Sequence, residues 1–358
     1  KTDVVSARIR KYESARAAAL SGDNIPAEVY DNLVAEVHKN LPAMHRYVEL
    51  RKKLLGVDKL YMYDMYVPLI KLPETSVSFE EGLDIMRDAL QPLGEEYLTK
   101  MNKGIEEGWI DVYENKGKTS GAYSFGCYDS YPYILLNYTD TLKDVFTIIH
   151  EMGHSMHSRY TRDEQPYIYG SHSIFTAEVA STVNESLLMQ HLLRTEDEKE
   201  MRKYLLNMHL EEFRTTLFRQ TMFAEFEDIT HKAIESGETL TAEWMCQQYE
   251  DLNAQYYGSA VEKDDVIRYE WARIPHFYNA FYVYKYATGY SAATAISKKI
   301  LTEGKPAGQD YIRFLKTGES DHPIELLKIA GVDMSSPLPV QQAMETFNQL
   351  LNEFESLL

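Results

Sequence analysis

Cysteine is scarce in this chain: Cys127 and Cys246 are the only two in 358 residues. Two thiols cannot build a disulfide framework, which excludes the small secreted scaffold class and fits a reducing, cytoplasmic setting. No run of about 18 apolar residues occurs, so no membrane partner or spanning helix is expected. Basic residues are in deficit, with 37 Lys and Arg against 55 Asp and Glu and a net charge of −18. That balance argues against nucleic acid as a partner, because phosphates need basic patches to displace their counterions. It favours solubility and attraction of cationic peptides instead. Proline and glycine, 12 and 18 residues, nowhere gather into a linker, and no internal repeat is visible. One continuous region over 1–358 is therefore expected, although length alone would suggest two or three units.

Within that region the hydrophobic period divides the chain into three parts. A helical flank covers about 1–110. Helical patterns run from Val4 to Ala19 and from Ala27 to Leu55, separated by Ser21–Pro26, and two amphipathic helices lie between Phe79 and Gly108, with Ser78 as cap and Gly108 as stop. Asp58–Leu69 is rich in Tyr and Met without a clean period. A small sheet is expected at about 111–138, from two short strands around Ser120–Ser124 and Tyr131–Tyr138. Pro132 suits an edge strand, whose open side can pair with an extended peptide regardless of its side chains; a purely structural sheet fits the same pattern. The remainder, 139–358, reads as helical, and Asp197–Glu250 carries an apolar stripe of Phe213, Leu217, Phe218, Met222 and Phe226 that marks it as scaffold.

The chemistry concentrates in Thr147–His157, which holds His150-Glu151-Met152-Gly153-His154. On a helix, residues four apart share a face, so both imidazoles can reach one metal ion while Glu151, about 100° away, stays beside it as a base. A chance match in a chain of this composition has a probability of about 5 %. The flanking Val145, Phe146, Ile148, Ile149 and Met152 belong to a buried helix, and Gly153 fits a place where bulk would crowd the metal or a neighbouring backbone. Zinc held by two His needs a third ligand and an open position. His157 is about 10 Å further along the axis, too far for the same ion, and suits helix packing or support of a ligand. Glu178 lies in an apolar helical run where an unpaired carboxylate is expensive, and Glu185 follows seven residues later, placed to hydrogen-bond a ligand His. Pairing of these glutamates with an arginine is the alternative.

His150-Glu151-x-Gly153-His154-x-x-His157, followed by Ala177-Glu178-Val179-Ala180-Ser181 and Asn184-Glu185, resembles the thimet-type (M3) zinc oligopeptidase family, most of all its oligoendopeptidase F branch. The resemblance runs from about Lys52 to the C-terminus and includes Gly121-Ala122-Tyr123-Ser124, Pro132–Tyr138 and Pro275-His276-Phe277-Tyr278. It implies a mainly α, zincin-like metallopeptidase catalytic domain with a small sheet beside the metal and a deep substrate channel. It also implies one zinc ion on His150, His154 and Glu178, with Glu151 as base. Similar proteins carry a further N-terminal region, and a chain opening on Lys1 is expected to be their C-terminal catalytic part. Gly121, Ala122 and Tyr123, with Gly170 and His172, resemble substrate-binding positions. The tyrosine-rich Ile274–Tyr290 segment resembles the part of the family that supplies oxyanion donors. The correspondence is direct for His276 and open among Tyr278, Tyr282 and Tyr284, of which Tyr278 and Tyr284 are favoured and Tyr282 is assigned to substrate binding.

The reading that results is a zinc metalloendopeptidase acting on internal bonds of short peptides, with oligomeric state left open. A dipeptidyl carboxypeptidase would need a cation to grip the substrate's C-terminal carboxylate. A non-catalytic zinc- or peptide-binding protein would not need Glu151.

Overall fold

The computed structural model describes residues 1–71 and 76–358. In chain order its principal elements are helices α1 (Thr2–Ile9), α2 (Ala15–Leu20), α3 (Ala27–Leu55), α4 (Phe79–Ala89) and α5 (Glu95–Glu106), then strands β1 (Ile110–Asp111), β2 (Tyr123–Phe125) and β3 (Tyr133–Leu135). Helices α6 (Leu142–Glu164), α7 (Ile174–Thr195), α8 (Lys199–Glu212), α9 (Arg219–Glu235) and α10 (Ala242–Tyr257) follow, and α11 (Tyr284–Glu303), α12 (Lys305–Leu315), α13 (Pro323–Ile329) and α14 (Leu338–Leu357) close the chain. The chain forms two compact units, each discontinuous in sequence. Unit 1 comprises Lys1–Lys71, Leu206–Thr288 and Ser335–Leu358; unit 2 comprises Leu72–Leu205 and Gly289–Met334.

Unit 1 is helical. The helix expected over Val4–Ala19 is interrupted: Lys11 takes a left-handed φ of 64°, and the Ser14 side chain accepts the Ala17 N–H, restarting the helix as α2. Helix α3 runs where its period placed it, and Gly56 ends it in the left-handed conformation. The aperiodic Asp58–Leu69 stretch becomes a 3-10 turn over Met62–Tyr66. Its carbonyls are satisfied by a side chain: the buried Arg51 guanidinium donates to the carbonyls of Asp64, Met65 and Val67 and pairs with Glu211 at 3.0 Å. The expected stripe of Phe213, Leu217, Phe218, Met222 and Phe226 is buried throughout, but a π-helical turn over Phe213–Phe218 joins α8 to α9. Phe213 and Phe218 meet Phe347 of α14 at 5.6 and 5.0 Å.

Unit 2 packs α6 against α7, with α4, α5 and α12 beside α6 and the sheet against it. Ser78 and Glu81 form a reciprocal capping box at the start of α4. The sheet has three strands in the order β1-β3-β2, β1 parallel and β2 antiparallel to β3. Two strands were expected, and the one beginning at Tyr133 was expected at an edge. It is central instead, because Ile110–Asp111 pairs along its other side; Pro132 precedes it, where the ladder needs no donor. The outer strands are β1 and β2.

In unit 1, Glu227 is 2 % exposed on α9 and accepts the Phe281 N–H at 2.9 Å. Burial raises its carboxyl to about 8, opposed by that hydrogen bond and reinforced by Asp3. The folded state therefore retains a proton that the unfolded chain, with a value near 4.5, releases. This contribution to stability is fully present below about pH 4.5 and is lost as pH rises towards about 8. Glu227→Gln, which cannot ionise, is expected to raise the melting temperature relative to the parent more at pH 8 than at pH 5. Thermal melts at both pH values check this, and an equal offset at each would contradict it.

Candidate metal centre

Helix α6 starts at a capping box in which the Thr141 hydroxyl accepts the Asp144 N–H at 3.3 Å and the Asp144 carboxylate accepts the Thr141 N–H at 2.9 Å. Val145, Ile148, Ile149, Met152 and Met156 bury one face completely. That leaves His150 and His154 on a partly open face, one turn apart. Their approach to α7 depends on Gly153. A Cβ there would stand 2.6 Å from the Ser181 Cα and 2.8 Å from the Ala180 carbonyl, so the two helices touch backbone to backbone. Asn184 of α7 secures the contact, donating to the Ile149 carbonyl at 3.2 Å and to the Tyr97 hydroxyl at 3.0 Å.

This packing brings three donor atoms together. The Nε2 atoms of His150 and His154 lie 3.2 Å apart, and the Glu178 Oε2 lies 3.7 Å from each. Among the described residues these three form the one group of His, Cys, Asp or Glu side chains able to hold a metal ion. A tetrahedral zinc site with bonds of about 2.0–2.2 Å has ligand-to-ligand edges of about 3.3–3.5 Å. The residues present fit such an ion. The His150 Nδ1 sits 3.2 Å from the Glu185 Oε1, so Nδ1–H donates there and Nε2 is the nitrogen available to a metal once its proton is displaced.

Three carboxylates surround two imidazoles here, and the protonation pattern reflects it. Burial opposes charge on His150, but hydrogen bonding to Glu185 and the charges of Glu185, Glu151 and Glu178 outweigh it and raise the imidazole to about 9. His154 is driven down to about 3, by burial first and then by the charge on His150. Without a cation the pair thus holds one proton, which a metal taking both Nε2 atoms must displace. Glu151 is 7 % exposed. Burial pushes its carboxyl up, His150 and the Ser124 backbone amide pull it down, and Glu178 and Glu185 push it up further.

The sheet adjoins the same helix. The Ser124 hydroxyl of β2 lies 2.8 Å from the Ser155 hydroxyl of α6, and Ser155 donates to the Pro132 carbonyl at 3.2 Å. Gly121, Ala122 and Tyr123 lead into the outer strand β2, where the Tyr123 and Phe125 side chains are exposed. Asn137 holds this approach by donating to the carbonyls of Thr119 and Gly121. The residues beside Glu151 are those of β2, and the strand they pair with is the one that carries the Tyr133-Ile134-Leu135 run.

His157 is buried away from the donor atoms, its ring stacked on that of His172 at 4.1 Å. Burial lowers both imidazoles. Gly170, closing a 3-10 turn over Tyr167–Tyr169, leaves no room for a side chain beside the Tyr128 ring. The expected oxyanion donors all belong to unit 1. His276 and Tyr278 are exposed, Tyr278 almost fully. Tyr284, by contrast, is 1 % exposed and packs on Tyr30 at 5.3 Å, as a core residue does. Beside the His276 ring stand Tyr282, parallel at 6.2 Å, and Tyr286, whose hydroxyl is 3.4 Å from Nε2. Tyr282 was among the expected residues and Tyr286 was not; Tyr282 precedes α11 and Tyr286 lies in its first turn, so no shared helical spacing links them in the sequence. Glu227 was not among the expected site residues either; with Glu225 and Asp228 beside it, nothing in the sequence distinguishes it from its acidic neighbours.

Two histidines one turn apart on one helix, a carboxylate from the next helix and a glutamate beside them define a helical protein of the zincin type. The chain belongs to Peptidase family M3, whose model matches residues 1–346, beginning well before the Lys52 at which the motif resemblance starts. It is 54 % identical to oligopeptidase PepF of Bacillus subtilis over all 358 residues, which is 53 % of that protein. It is 47 % identical to an oligoendopeptidase F homolog of Lactococcus lactis, over 99 % of this chain and 59 % of the relative. The crystal structure of oligoendopeptidase-F from Enterococcus faecium superimposes with a TM-score of 0.81 at 42 % identity, over 99 % of this chain and 57 % of that one. The chain therefore spans a little over half the length of these relatives.

Metal titration tests the ligand set. Glu178→Ala, which removes one of three donors, is expected to weaken zinc binding by more than Glu185→Ala, which leaves the donors in place and costs about 10- to 100-fold. His157→Ala should change it least. Competition against a chelator measures all three, and a larger loss in the His157 variant would assign the third ligand elsewhere.

Proposed function

We propose that this chain carries the catalytic centre of a zinc metalloendopeptidase that hydrolyses internal bonds of short oligopeptides in the cytoplasm. The observation that carries the reading is the convergence of the His150 and His154 Nε2 atoms with the Glu178 Oε2, beside the buried Glu151. The nitrogen, nitrogen and oxygen donor set at tetrahedral spacing favours zinc. The names of the relatives support peptide substrates and cleavage within the chain. The restriction to short peptides rests on the resemblance and on those names. The cytoplasmic setting is supported by two free cysteines and by the absence, among the described residues, of a helix long and apolar enough to cross a membrane.

When bound, zinc supplies a Lewis acid that polarises the scissile carbonyl and acidifies the attacking water. His150, His154 and Glu178 would hold it, with Glu185 fixing the His150 tautomer. Glu151 accepts the proton of the attacking water and returns it to the leaving amine. Its burial, by raising the carboxyl towards neutrality, suits both halves of that task. The open edge of β2 pairs with the substrate backbone, giving affinity independent of side chains. His276 and a phenol of its segment donate to the oxyanion. This last role rests on the resemblance. Exposure ranks Tyr278 ahead of the enclosed Tyr284.

Cleavage of quenched peptides blocked at both ends tests the endopeptidase reading, since an exopeptidase that grips a free carboxylate leaves them intact. Glu151→Gln should retain zinc and lose about 10²- to 10⁴-fold in turnover, because the amide cannot take the water's proton. More than a tenth of the parent rate would remove Glu151 from the mechanism.

Tyr→Phe changes at 278, 282, 284 and 286, compared with His276→Ala under saturating peptide, identify the phenol donor. Loss of one oxyanion hydrogen bond lowers turnover by about 10²- to 10³-fold with metal content unchanged. If all four keep the parent rate, no phenol of this segment donates to the oxyanion.

A further inference from the structure

Among the described residues, Phe281 is one of four non-glycine residues with positive φ, at 57°, and the only one of the four that is buried. A bulky aromatic residue in the left-handed region is strained unless its surroundings impose the conformation. Two rings enclose its side chain, Tyr30 at 6.1 Å and His231 at 4.6 Å. Its backbone N–H points to the buried Glu227 Oε1 at 2.9 Å, while Glu227 Oε2 has no hydrogen-bond partner among the described residues. A glutamate buried for a single hydrogen bond is a poor contributor to stability, so its value lies in what that bond holds.

The bond holds a reversal of the chain. A 3-10 turn over Pro275–Tyr278 ends just before it, and α11 begins just after, where Lys285 and Tyr286 donate to the Tyr282 and Val283 carbonyls. The reversal at Phe281 sets the Tyr282 and Tyr286 rings against His276. All of these residues lie in unit 1. We propose that Glu227 is a positioning residue: by accepting the Phe281 N–H it fixes the left-handed turn that presents His276 and its tyrosines. The consequence for turnover rests on the proposed function, in which this segment donates to the oxyanion. Because the carboxyl is neutral below about pH 8, Gln reproduces both its shape and its acceptor, whereas Met fills the space with no acceptor. Asp retains the acceptor but withdraws it by one methylene.

The experiment combines hydrogen exchange with kinetics on Glu227→Met, Glu227→Gln and Glu227→Asp. Glu227→Met should speed amide exchange across 279–283 by about tenfold or more with other regions unchanged. It should lower kcat by about tenfold or more with KM within about threefold. Zinc content should match the parent, and the melting temperature should not fall, since a buried carboxyl has been removed. Glu227→Gln should restore exchange and kcat. If Glu227→Met does not fold, Glu227→Asp is expected to give the same local pattern. Unchanged exchange at 279–283 in the Met and Asp variants overturns the proposal. So does a kcat within about twofold of the parent despite faster exchange, or equal impairment of the Gln variant with exchange raised everywhere. If the parent cleaves no peptide, the proposed function fails by itself, and the exchange data still decide whether Glu227 holds the turn.

Discussion

Everything at the candidate metal centre depends on the contact of α6 with α7 at Gly153. A side chain there would have to displace the Ser181 Cα and the Ala180 carbonyl, both backbone atoms with nowhere to go. Because the helices touch, the Glu178 carboxylate reaches across to two imidazoles that α6 has already aligned. Polar bonds lock the arrangement from several sides: Asn184 on the Ile149 carbonyl, Tyr311 on the Ala180 carbonyl and Ser186 against Ser297. Each such bond contributes only about 1 kcal/mol net, but a buried partner left without it would cost about 1–3 kcal/mol, which makes the register of the two helices hard to shift.

The same packing creates an electrostatic demand. Glu151, Glu178 and Glu185 crowd two partly buried imidazoles, and one proton on His150 is a weak answer to three carboxylates. A divalent cation answers it better, which is why the donor chemistry and the burial of Glu151 point the same way. Glu185 links the two, since it both fixes a tautomer and adds negative charge close to the ion's place.

Unit 1 uses buried charge differently. Arg51 serves three carbonyls of a segment without regular structure and pairs with Glu211, which Arg214 also holds. Glu270 accepts from Arg219 and from the Tyr249 hydroxyl, at 2.6 Å each. Glu227 accepts a single N–H where the chain reverses. Arg51 does for irregular backbone what a ladder of main-chain bonds does for a helix, Glu270 ties two side chains together, and Glu227, a neutral carboxyl, holds one main-chain N–H.

What the sequence determined by itself is what depends on short-range spacing. The helical period, the Ser78 cap, the His150-Glu151-x-x-His154 alignment and the place of Glu178 on an apolar helix are all set by neighbours within a few turns. So is the family, because its motifs are contiguous. Only the tertiary structure decided the rest. That Tyr133–Leu135 is central follows from pairing with Ile110–Asp111, more than twenty residues upstream and too short to show a period. The division into two discontinuous units leaves no linker to read, since each is assembled from distant segments. The tyrosines between 278 and 286 look alike in sequence. Burial alone separates Tyr284, in the core, from Tyr278, in solvent, and between them the chain turns left-handed at Phe281, whose N–H is held by Glu227, 54 residues away along the chain.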